Sequence, residues 1–96
     1  MSDKYILDGH DAVPCDSIYE WSEWFERGDR LVAKTERDGV TISTVFLGLD
    51  HSFGGATPVL FETMVFGGPL DGEQQRYGSW TDAETGHSAM VARAFP

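Results

Sequence analysis

Asp38-Gly39 stands between two alternating stretches and constrains this chain more than any other pair of residues. Asp-Gly suits the two-residue turn in which both central residues take positive φ, and the twist of that turn matches the twist of paired strands. Before it, Leu31, Ala33 and Thr35 alternate with Val32, Lys34 and Glu36. After it, Val40, Ile42, Thr44 and Phe46 alternate with Thr41, Ser43, Val45 and Leu47. A period of two is the strand signature, so a β-hairpin is predicted over residues 30–37 and 40–47. Near Phe46 both faces turn apolar, which makes that end central or covered on both sides.

The remaining elements are predicted around this hairpin. A glycine-rich loop, residues 50–58, leads from Leu49 to a second apolar strand, residues 59–66. Gly67-Gly68-Pro69-Leu70-Asp71-Gly72 reads as a turn, and the more polar stretch 73–79 as an edge strand returning from it. At the N-terminus, Tyr5-Ile6-Leu7 forms a short strand ended by Asp8-Gly9. Pro14 restricts His10–Cys15 to an edge strand or an extended loop.

A first helix is predicted over Asp16–Arg27. Asp16 or Ser17 can cap it, Ser17-x-x-Glu20 fits a capping box, and Gly28 stands where a terminating residue belongs. Ile18, Trp21 and Phe25, flanked by Trp24, form its aromatic inward face, whereas Glu20, Glu23 and Glu26 lie mostly outward. A second capping box, Thr81-Asp82-Ala83-Glu84, opens a helix to about Ala94. Ala83, His87, Met90, Val91 and Ala94 make its apolar stripe. Gly86 costs this helix ~1 kcal/mol relative to alanine unless close packing needs the gap. The order β–α–β–β–β–β–α, rich in hairpins and without a long linker, predicts a single α+β domain. Its antiparallel sheet has four to five strands, with two helices packed on one face.

Charge narrows the function classes. The 96 residues carry a formal charge of −9, the opposite of a nucleic-acid footprint and unsuited to anionic membrane surfaces. The acidity is uneven: residues 1–29 hold eight acids (Asp3, Asp8, Asp11, Asp16, Glu20, Glu23, Glu26, Asp29) against Lys4 and Arg27. A partner with a basic surface is the natural complement. Cys15 is the only cysteine, so no intramolecular disulfide forms and a reducing compartment is expected. Met1-Ser2-Asp3-Lys4 is polar and lacks a following apolar core of signal-peptide length. The expectation is therefore a cytoplasmic protein, a monomer or a small homo-oligomer.

The run Phe46-Leu47-Gly48-Leu49-Asp50-His51-x-Phe53, followed by Leu60-Phe61-Glu62-Thr63-Met64-Val65-Phe66-Gly67-Gly68, resembles a group of small phage and prophage proteins. Arg76-Tyr77, Trp80, Glu84 and Gly86-His87 are similar to that group as well. The resemblance covers most of the chain. It implies no activity, but it implies a setting: an accessory protein of a mobile element in a bacterial host cell.

Among candidate sites, the acidic face of Glu20, Glu23 and Glu26, flanked by Asp16 and Asp29, is expected to meet the basic surface of a host protein; its bland reading is a solvated helix face. The alternative is a module binding a small ligand or a metal through the 50–55 loop, with Asp50 and His51 as ligands. Against that, Asp50 can simply cap the loop backbone as an Asx turn. His10, His51, His87 and Cys15 match no standard metal spacing, and neither a catalytic residue nor a cofactor is assigned. Glu62 interrupts an apolar strand; it acts as an acid or base if buried, or pairs with Arg76 across the strands. Cys15 reads as a small apolar filler, and Gly54-Gly55 and Gly67-Gly68 as turn geometry rather than phosphate cradles.

Overall fold

The computed structural model describes residues 3–96 and shows an α+β fold. In chain order the elements are β1 (Tyr5–Asp8), β2 (Asp11–Pro14), α1 (Ile18–Arg27), β3 (Leu31–Arg37), β4 (Val40–Phe46), β5 (Phe61–Phe66), β6 (Gln74–Tyr77) and α2 (Trp80–Ala94). β3-β4-β5-β6 form one antiparallel sheet in that order, whereas β1 and β2 form a separate hairpin. β4 already has a neighbour on each side, so the N-terminal strand reaches only the chain beyond the end of β4. There Tyr5 N–H donates to Gly48 O at 2.8 Å, and Lys4 bridges to Leu49.

The Asp38-Gly39 turn forms as expected, with φ of +52° and +79°, the pattern of the hairpin turn that Asp-Gly favours. The register of β3 on β4 slips between Leu31 and Ala33. Val32 is thereby packed against the Phe46 cluster while Leu31 stays exposed, as a β-bulge allows. β4 and β5 are the central strands, and their alternate residues Ile42, Thr44, Phe46, Phe61, Thr63 and Val65 are buried. On the opposite face Glu62 pairs with Arg76 at 2.9 Å, across directly opposed positions of β5 and β6.

α2 lies against all four strands. Its start differs from the expected Thr81 box: Ser79 is the cap, and its Oγ accepts from Asp82 N–H at 3.1 Å. Ala83, His87 and Met90 are its buried residues. The core falls into two apolar clusters. Phe46, Leu60, Phe61 and Ala83 form one, joined by Tyr5, Trp24, Val32 and Trp80; Ile42, Val65 and Met90 form the other. Thr44 and Thr63 take the strand positions between the two clusters, and His87 takes the position between them on α2.

α1 does not share the sheet face equally with α2. None of its residues is fully buried. Trp24 meets Phe46 edge-on at 5.5 Å, and Trp21 Nε1–H donates to Gly48 O at 3.0 Å. The helix therefore seats on the Phe46 end of the sheet. Ile18, expected inward, is 56% exposed, because one turn of helix beyond Trp21 carries it past that end. Gly28 terminates α1 in extended backbone, φ −73°, rather than left-handed; a Cβ there would stand 2.7 Å from the Trp24 ring. Among the described residues, no helix is long and apolar enough to cross a membrane.

Candidate functional site

α1 is fixed at both ends by its sequence. Ser17 Oγ accepts from Glu20 N–H at 3.3 Å, satisfying one of the four N–H groups that a helix start leaves open. Gly28 N–H closes the last turn on Trp24 O at 2.6 Å. Because Trp21, Trp24 and Phe25 are drawn onto the Phe46 and Gly48 end of the sheet, the opposite face is held outward. Glu20, Glu23 and Glu26 are all exposed, as are the flanking Asp16 and Asp29.

These carboxylates carry little internal charge compensation. Arg27 lies 3.9 Å from Glu23, a long, solvent-exposed pair of small energetic weight. Asp29 Oδ1 accepts from Leu31 N–H at 3.0 Å and so also shapes the turn into β3. Arg30 is directed away, over the Phe25 ring at 3.9 Å.

Tyr19 is the residue that the sequence reading passed over. It is 85% exposed and stands at i, i+4 and i+7 with Glu23 and Glu26, hence on the same face of the helix. Its offset from the Trp21–Phe25 stripe was the available signal. Aromatic side chains at such positions anchor interfaces, since they bury a large area at low entropic cost.

The 50–58 loop is built differently. Asp50 Oδ1 accepts from Ser52 N–H at 2.8 Å and from Val59 N–H at 3.0 Å, so one carboxylate ties both ends of the loop. Those bonds, Val59 first, hold the Asp50 carboxyl below its ordinary 3.8. This is the Asx-turn alternative weighed from the sequence. His51 Nδ1–H donates to Leu49 O at 2.8 Å, so its ring is bound to the loop stem. Glu62 is engaged with Arg76 on the sheet. Asp50, His51 and Glu62 thus each serve a different local bond. Among the described residues, no group of three or more His, Cys, Asp or Glu is placed to hold a metal. Cys15 is buried, 5% exposed, beside the start of α1.

Asp50→Ala should loosen the loop without moving α1. The expected result is faster amide exchange at Ser52 and Val59, read by hydrogen-exchange mass spectrometry or NMR. Unchanged protection there would mean that the carboxylate does not set the loop.

Compared with protein-family models, curated proteins and solved structures, the chain matches none.

Proposed function

We propose that this chain is a small acidic accessory protein of a phage or prophage. It binds a host protein that bears a basic surface, such as a nucleic-acid-processing defence enzyme, and inhibits it by covering that surface. The observation that carries this reading is the outward face of α1: Glu20, Glu23 and Glu26, with Asp16 and Asp29 at its ends, all exposed around a Tyr19 that is 85% exposed. The carboxylates steer a cationic partner into place and discriminate against acidic ones. Tyr19 supplies the apolar anchor that charge alone lacks. Trp21 and Trp24 hold α1 against the sheet end, so this surface is formed before binding, which lowers the entropic cost of association.

The test is retention of a partner from a bacterial host lysate, followed by quantitative binding to the purified partner. Reversing Glu20, Glu23 and Glu26 to Lys moves the net charge from −9 to −3. It should weaken binding at least about tenfold, chiefly through slower association at low salt. The matched control reverses Asp3, Glu36 and Glu84, three exposed acids outside α1, and makes the same change in net charge. Equal losses in both triple variants would reduce the effect to overall charge and remove the α1 face from the reading. Tyr19→Ala should weaken binding by a further ~1–2 kcal/mol, seen as faster dissociation.

A further inference from the structure

We propose that the cleft between the β1–β2 hairpin and the start of α2 binds an organic cation: an alkyl- or quaternary ammonium group, carried by a small molecule or by a lysine side chain. The proposal stands apart from the α1 face. The cleft has a volume of about 440 Å³, within the range of small-molecule sites. Four aromatic residues line it, Tyr5, His10, Phe61 and Trp80, together with the acidic residue Asp11.

The rings are held in fixed relation. His10 lies parallel to Trp80 with centroids 3.8 Å apart, and Phe61 stands at 86° to Trp80 at 6.3 Å. Phe61 is itself fully buried and braces Trp80; the partly exposed Tyr5 and Trp80 and the exposed His10 are the rings that a cation can reach, and aromatic faces carry negative potential. The carboxylate is the second observation. Asp8 and Asp11 are directly opposed in the β1–β2 register, both are exposed, and neither has an ion-pair partner among the described residues. Like charges directly opposite one another destabilise a hairpin, and a bound cation would relieve that repulsion.

The positive end of the α2 dipole lies beside the cleft and would by itself favour an anion. Here that end is already occupied: Ser79 Oγ caps it and Asp82 sits in its first turn. The net charge of −9 further enriches cations near the surface. Together these features select a cation with an apolar envelope over a phosphate or a carboxylate.

The experiment titrates the full chain with choline chloride, with its neutral isostere 3,3-dimethyl-1-butanol, and with N-acetyl-lysine methylamide, following the indole N–H signals by NMR. Choline should shift Trp80 while leaving Trp21 and Trp24 in place, and should bind at least about tenfold more tightly than the alcohol. Asp11→Asn, at an exposed hairpin position, should lower choline affinity about fivefold with the circular dichroism spectrum unchanged. Competition by the lysine derivative would assign the source to a peptide side chain; binding of choline without that competition would assign it to a small molecule. Equal affinity for choline and the alcohol, unaltered choline affinity in Asp11→Asn, or no response at Trp80 to ~10 mM of either cation would overturn the proposal.

Discussion

Replacing His87 with alanine is expected to lower the unfolding free energy by about 3 kcal/mol and the melting temperature by roughly 12–24 °C. His87 is only 6% exposed. Its Nε2 lies 2.9 Å from Thr35 Oγ1 and its Nδ1 lies 2.7 Å from Thr44 Oγ1, and Thr44 is in turn hydrogen-bonded to Thr63. The ring thus joins α2 to β3 and β4, and through Thr44 to β5. A hydroxyl both donates and accepts, so a neutral imidazole satisfies this chain in either direction. Alanine removes the ring volume, leaves a cavity between the two apolar clusters, and takes one partner from the buried Thr44 hydroxyl and one from the half-buried Thr35 hydroxyl. His87→Gln keeps part of the volume and one hydrogen bond, and its loss should be smaller.

The same residue sets a pH dependence. Burial pushes the His87 imidazole below its ordinary 6.5. Above that value the ring is neutral in both the folded and the unfolded chain, and stability is at its full level. As pH falls below 6.5 the unfolded chain binds a proton that the folded chain does not, so stability declines. The decline continues until the depressed folded value is reached, with a slope of at most ~1.4 kcal/mol per pH unit. Urea unfolding from pH 7.5 down to pH 5 should show this slope in the native chain and a shallower one in His87→Gln. Equal slopes would place the pH dependence elsewhere.

The second large effect has the opposite sign from the one that helix propensity predicts. Gly86→Ala should stabilise an exposed helix by ~1 kcal/mol. Here it is expected to destabilise the protein by about 1–3 kcal/mol, because a Cβ at that position would collide with the Tyr77 ring. Tyr77 comes from β6, the edge strand, and its ring packs against the Phe46 cluster, so it cannot simply swing into solvent. A double-mutant cycle isolates the cause. In a Tyr77→Ala background the collision is gone, and Gly86→Ala should then raise the melting temperature. A melting temperature that rises in the native background would mean that the ring yields and that propensity decides.

Local patterns explain how much of the fold was legible. The Asp38-Gly39 hairpin, the central placement of β4 and β5, the polar edge strand β6, the Glu62–Arg76 pair and the apolar stripe of α2 are each written within a few residues of chain. Helix boundaries were less so. Ser79, rather than Thr81, caps α2, so that Trp80 stands inside the helix and packs against the Phe46 cluster. In the candidate site, the exposed carboxylates of α1 were readable from their spacing. The exposure of Tyr19 and Ile18 was not, since it depends on where the sheet ends beneath the helix. Asp50 and His51 make local loop bonds, and for Asp50 the sequence held such a backbone cap open beside ligand binding.

The sequence by itself determined the α+β class, the Asp38-Gly39 hairpin turn and the acidic character of one helix. All three follow from periodicity, turn chemistry and charge, which act between residues close in the chain. Only the tertiary structure decided that the N-terminal strands form a hairpin of their own, that Thr35, Thr44, Thr63 and His87 meet between two apolar clusters, and that Gly86 makes room for Tyr77. The cleft walled by Tyr5, His10, Phe61 and Trp80 belongs to the same group. Each of these joins residues many positions apart, and such contacts are set by how whole elements pack rather than by any pattern within one of them.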